Sequence, residues 1–178
     1  MNLKYLLLGF PALLIIALIM LSACLMSVNK TANKSILAFS EMVRNRDFSN
    51  LNLTIYYMSP YILTRQPVSE ADLVNGKYGD KITIPGHLLE EYIDLMDQII
   101  NIELIPVKQK SHLNARLYYV FETSKNRKVF SASMWGKDNS IFINGLEIEE
   151  NDIFYEIVFP FLPEDAVKEF IIYLNKKP

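Results

Sequence analysis

The sequence predicts an α+β domain: an antiparallel sheet of about five to six strands with helices packed on one face, preceded by an N-terminal signal or anchor helix. Three observations carry this expectation. Apolar residues alternate with polar ones through residues 115–149, with turn residues between the runs. Within that stretch Asn144-Gly145 separates Ile141-Phe142-Ile143 from Leu146-Glu147-Ile148, the strongest short-range hairpin signal and one that favours a type I′ turn. Two other segments, 87–100 and 164–175, repeat their apolar residues at helical rather than strand spacing.

The elements follow in order. Ile36, Phe39, Met42 and Val43 predict a helix over 35–46. Leu51, Leu53, Ile55 and Tyr57 alternate with Asn52, Thr54 and Tyr56 and predict a half-buried strand over 51–58, ended by Ser59-Pro60. Residues 61–79 form the least regular part of the chain, although Ser69 and Asp72 have the spacing of a capping box for one short helical turn. A strand is expected over 81–84, stopped by Pro85-Gly86. On a helical wheel, 87–100 divides into an arc holding His87, Glu90, Glu91, Asp94, Asp97 and Gln98 and an arc holding Leu88, Leu89, Tyr92, Ile93, Leu95, Met96, Ile99 and Ile100. That division predicts a surface helix with one buried face. Residues 101–107 read as an edge or bulged strand cut by Pro106. Four strands then form a meander over 115–149, with turns at 124–127, 136–139 and 144–145. The stretch 152–159 fits either period, and Pro163-Glu164-Asp165 opens a last helix to about 175.

Ahead of the domain a single Lys4 precedes an unbroken apolar run from Tyr5 to Ala23, which closes on Leu21-Ser22-Ala23-Cys24. This tetrapeptide resembles the lipobox of bacterial lipoprotein signal peptides. The resemblance implies acylation of the Cys24 sulfur, cleavage just before it, and an extracytoplasmic domain held at a membrane by its lipid. Two other readings stay open. The run is long enough to span a hydrocarbon core of ~30 Å as an uncleaved helix, and Ser22-Ala23 also suits an ordinary secretory cleavage. The organisation expected is a leader over 1–24, a tether over 25–34, and one domain over 35–178.

Composition narrows the function. The net charge of −2 comes from interspersed charges, so no nucleic-acid footprint and no sustained basic strip for anionic lipid is expected. Cys24 is the only cysteine, which excludes disulfides and thiolate metal sites downstream of it. His87 stands one helical turn from Glu90 and Glu91, but the second histidine of a zinc-binding helix is missing and the whole arc is charged, as a solvated face is. His112 lies in a polar loop with no motif around it, and no nucleophile elbow exists. Glu147, Glu149, Glu150 and Asp152, or Asp94 and Asp97, supply carboxylates for a glycosidase pair without any two being singled out. No catalytic residue, metal or cofactor is therefore assigned. Aromatic residues offer the better lead. Trp135 at a strand end, with Tyr118 and Tyr61 and with Tyr56, Tyr57 and Tyr155 besides, suggests a surface for a protein or glycan. The expected function is a membrane-anchored, monomeric binding or accessory domain. The alternatives are an envelope hydrolase using carboxylates and an inhibitor or immunity-type lipoprotein.

Overall fold

A computed structural model describes residue 34 and residues 36–107, 112–134 and 140–175. The leader with Cys24, tether residues 25–33, Trp135 and the 136–139 turn lie outside the described residues.

Six antiparallel strands form one sheet in the order β2-β1-β3-β4-β5-β6. The strands are β1 (Leu51–Tyr57), β2 (Asp80–Pro85), β3 (Leu117–Thr123), β4 (Lys128–Met134), β5 (Ile141–Ile143) and β6 (Leu146–Ile148). The meander from β3 to β6 pairs neighbour with neighbour, while β1 is inserted between β2 and β3. The turn between β5 and β6 has φ of 48° at Asn144 and 83° at Gly145, the two left-handed residues that a type I′ turn requires.

Alternation assigns Leu51, Leu53, Ile55, Leu117, Tyr119, Phe121, Phe130 and Ala132 to one face of the sheet, where they form the main core. Five helices cover this face with their own apolar residues: α1 over 36–44, α3 (Gly86–Leu89), α4 (Ile93–Ile100), α5 (Ile153–Glu156) and α6 (Glu164–Asn175). The core centre is aromatic, with Phe39 of α1 4.6 Å from Phe121 and 5.4 Å from Phe130. Helix α1 ends in a Schellman arrangement. Arg46 takes the left-handed conformation at φ 51°, its N–H donates to the Val43 carbonyl, and the Asp47 N–H donates to the Met42 carbonyl. That turn delivers the buried Phe48 and then β1. Gly86 lies so close to this turn that a Cβ would overlap the carbonyl oxygens of Phe48 and Leu51, so only glycine lets α3 start there.

The opposite face carries a smaller core of Met58, Val68, Leu73, Ala115, Tyr118 and Val120. Helix α2 (Glu70–Val74) lies here, started by the expected capping box between Ser69 and Asp72. The helices therefore occupy one face with this one exception.

Two further elements differ from expectation, and one left open is decided. The helix expected over 87–100 is interrupted by a 3₁₀ turn at Glu90–Tyr92, where the Tyr92 ring meets Phe161 edge-on at 4.6 Å, and Leu88 is left exposed. Residues 101–107 form no strand, only a bridge from Pro106 to Ile148, with Val107 donating to Glu147 and Glu149 donating to Ile105. The ambiguous stretch 152–159 is helical rather than strand: α5 ends at Glu156 and is followed by a 3₁₀ turn at Phe159–Phe161 with Pro160 at its start. Among the described residues no helix is long and apolar enough to cross a membrane.

Candidate interaction surface

After β1 the chain leaves the sheet and returns to it ten residues later at Val68, and local chemistry fixes both ends of the excursion. Met58 is buried in the smaller core and its N–H donates to the Arg116 carbonyl, extending the β1–β3 ladder by one bond. Ser59-Pro60 then turns the chain, with the Ile62 N–H donating to the Ser59 carbonyl. At the far end the Val68 N–H donates to Asn114 Oδ1 at 2.9 Å, and the Val68 carbonyl accepts from the Ala115 N–H at 2.8 Å.

Between these ends the excursion is held by a buried cation. Arg116 is only 6% exposed. Its guanidinium donates to Asn114 Oδ1 at 2.7 Å, to the Ala115 carbonyl at 3.1 Å and to the Ile62 carbonyl at 3.2 Å. None of these acceptors is a carboxylate, so the charge rests on amide and carbonyl dipoles. Burial pulls the Arg116 pKa below its ordinary value, and the nearby Tyr173 phenol works in the opposite direction. Hydrogen bonds from a charged donor are about twice as strong as neutral ones. The Ile62 backbone is thereby clamped to the start of β3.

With its backbone clamped, the segment turns three apolar side chains outward. Tyr61 and Ile62 are each 44% exposed and Leu63 is 95% exposed. The Tyr61 ring stands edge-on to Tyr173 of α6 at 5.5 Å, which leans the ridge against the last helix. Holding a leucine side chain in water forgoes the ~1.5–3 kcal/mol that its burial contributes. A clamped backbone also lowers the ordering cost of docking.

No protein-family model, curated protein or solved structure matches this chain. The surface is read from its own residues.

Of the aromatic residues expected at a surface, Tyr61 is on this ridge and Trp135 lies outside the described residues. Tyr118 is not on a surface. It is buried in the smaller core with Met58, Val68 and Leu73, because the 58–76 excursion roofs that half of the sheet, and burial pushes its pKa up to about 12, with Glu70 adding to the rise. Its ring stacks on half-buried Tyr56 at 5.9 Å. Tyr155 is likewise buried, in the main core.

The candidate carboxylates do not gather in one site. Glu147 is buried on the sheet face it shares with Phe142, whereas Glu149, Glu150 and Asp152 are exposed. Glu150 and Asp152 border a groove of about 410 Å³ with Leu174 and Asn175. Asp94, Asp97 and His87 are exposed on α3 and α4, and His112 is exposed in its loop. Among the described residues no three His, Cys, Asp or Glu side chains are grouped to hold a metal ion. Sequence reasoning missed Arg116 and Leu63. Arg116 looked like the polar start of a strand, and nothing in the sequence signalled that a segment 54 residues away would reach it. Leu63 carries no pattern at all.

Proposed function

We propose that this chain is a membrane-anchored extracytoplasmic binding domain, held through acylated Cys24, whose Tyr61-Ile62-Leu63 ridge docks into an apolar socket on a protein partner. The observation that carries the docking half is Leu63, 95% exposed at the tip of a segment whose backbone Arg116 clamps. Exposed aliphatic side chains in a row suit a protein pocket better than a glycan, which needs flat aromatic faces and hydrogen-bonding groups. The anchoring half is supported by Leu21-Ser22-Ala23-Cys24 at the end of the apolar run.

Two experiments test the two halves separately. A photo-crosslinking residue at position 63 of the full chain is expected to capture one partner in solubilised membranes. Leu63→Asp is expected to weaken capture from a neighbouring crosslinking position by about tenfold or more, as loss of a buried leucine predicts. Capture that survives Leu63→Asp with the fold intact refutes the ridge as the docking element. For the anchor, a fatty-acid analogue is expected to label the wild type and not Cys24→Ser, which accumulates as uncleaved precursor. Equal label, size and membrane retention in the two proteins refutes lipidation.

A further inference from the structure

No basic strip runs along the sequence, but folding assembles one at the end of the sheet opposite the ridge. Two adjoining grooves lie between α1 and the β3–β4 turn, of about 620 and 480 Å³, sharing Met42, Asp47 and Arg127 in their walls. Lys34 and Lys128 border the first and Lys125 borders the second. Exposed Arg44 and Arg46 flank the groove residue Asn45 in the chain. Two acids line these grooves, Glu41 and Asp47, and a third, Glu122, stands opposite Lys128 in the β3–β4 register; the Asp47 carboxylate accepts hydrogen bonds from Ser49 and Asn50. The ion pairs among the described residues are Lys77–Asp72 and Lys168–Glu164, so no described carboxylate forms an ion pair with Lys34, Lys125, Arg127 or Lys128.

We infer that this cationic end faces the bilayer and binds the anionic headgroups of its lipids. The inference rests on the anchored reading above and adds an orientation to it. Three arguments select lipid as the occupant. Ten residue steps separate Cys24 from Lys34, so an acyl group on Cys24 keeps this groove within ~36 Å of the membrane. Uncommitted cations complement lipid phosphates, and a basic side chain counts only within about a Debye length of the surface, ~8–10 Å. The third argument is direction. β1 begins just after Asn50, which borders the second groove, and runs ~20 Å to Tyr57, just before the ridge. A membrane at the cationic end therefore leaves the exposed Leu63 at the far end of the sheet, free for a partner.

The test uses the full chain in vesicles of phosphatidylcholine, with and without phosphatidylglycerol. Amine-reactive footprinting read by mass spectrometry compares Lys34, Lys125 and Lys128 with Lys81 on β2 and Lys168 on α6. In the anionic vesicles labelling of the first three is expected to slow by about fivefold or more, with recovery in high salt and no change at Lys81 or Lys168. The triple variant Lys125→Gln, Arg127→Gln, Lys128→Gln changes only exposed side chains. It is expected to keep the wild-type melting temperature while Lys34 loses its protection. A chain that floats with both kinds of vesicle yet labels identically in them overturns this inference and leaves the anchor standing. A chain that floats with neither overturns both.

Discussion

The most discriminating stability experiment removes two oxygen atoms from the main core. Tyr119 is fully buried and Tyr155 is 2% exposed, and neither hydroxyl has a hydrogen-bond partner among the described residues. An unpaired buried hydroxyl costs about 1–3 kcal/mol relative to water. Tyr→Phe removes that cost and gives back part of the gain as lost packing around the vacated oxygen. The expected net is a stabilisation of about 1 kcal/mol for each of Tyr119→Phe and Tyr155→Phe, or a rise of ~2–4 °C in melting temperature for a domain of this size. The same phenols set a pH dependence. Burial raises both pKa values above the ordinary tyrosine value, with Tyr155 adding to the rise at Tyr119 and with Glu150 and Asp152 adding to the rise at Tyr155. The folded state thus holds protons that the unfolded state releases near pH ~10, so stability is level below that pH and falls as pH rises beyond it. The double Phe variant is expected to show a shallower alkaline decline, the remainder coming from Tyr118 and Tyr57, whose pKa values are also raised. Urea melts from neutral pH upward measure both effects. A loss of 1 kcal/mol or more in either single variant, or an unchanged alkaline slope in the double variant, refutes the reasoning.

Three other outcomes are expected. Gly86→Ala places a methyl against the backbone oxygens of Phe48 and Leu51, which have no room to yield, so a loss on the order of 3 kcal/mol should appear as a lower denaturant midpoint; a wild-type midpoint contradicts the close approach. Arg116→Met keeps the aliphatic stem but releases Ile62, so limited proteolysis within 61–66 should accelerate while global stability falls by about 2 kcal/mol; unchanged cleavage rejects the clamp. The Ser69 N–H and hydroxyl hold the Asp72 carboxyl below its ordinary pKa, which adds stability above the unfolded value of ~3.9 that is lost as pH falls through the folded one; Asp72→Asn should flatten the acid side of the stability profile, and an unaltered acid side removes the capping box from the account.

How legible the fold was depended on how local its causes are. The Asn144-Gly145 hairpin and the Ser69 capping box are decided within four residues, and both form at the expected positions. Asn144 does more than turn, since its side-chain oxygen also accepts the Ser131 N–H of β4, the strand beside the hairpin, and that contact has no local signal. The break at Glu90–Tyr92 was invisible because Phe161, far along the chain, supplies the ring that Tyr92 meets. Residues 101–107 had the pattern of an edge strand, yet Pro106 limits their pairing with β6 to a single bridge and the two bonds beside it. The surfaces were harder still. Aromatic character alone placed Tyr118 and Tyr61 together, and only the roof over Tyr118 separates a core tyrosine from an exposed one. The cationic end escaped a linear reading for the same reason, because Lys34 and Lys128 are neighbours in space and 94 positions apart in sequence.

The two margins of the sheet are finished in different ways. On the β6 side Pro106 and its flanking bonds occupy the rail of backbone groups. On the β2 side no described strand follows, and among the described residues no strand pairs with the outer rail of Asp80–Pro85. An open rail is a template on which another copy extends the sheet, and molecules confined to a surface meet far more often than molecules in bulk. The residues set there oppose that growth: Asp80 and Lys81 put charge on the margin, and Pro85 lacks the donor a further ladder needs. The charges and the proline of this margin disfavour a seventh strand from another copy, so the chemistry of β2 guards the sheet against edge-to-edge association.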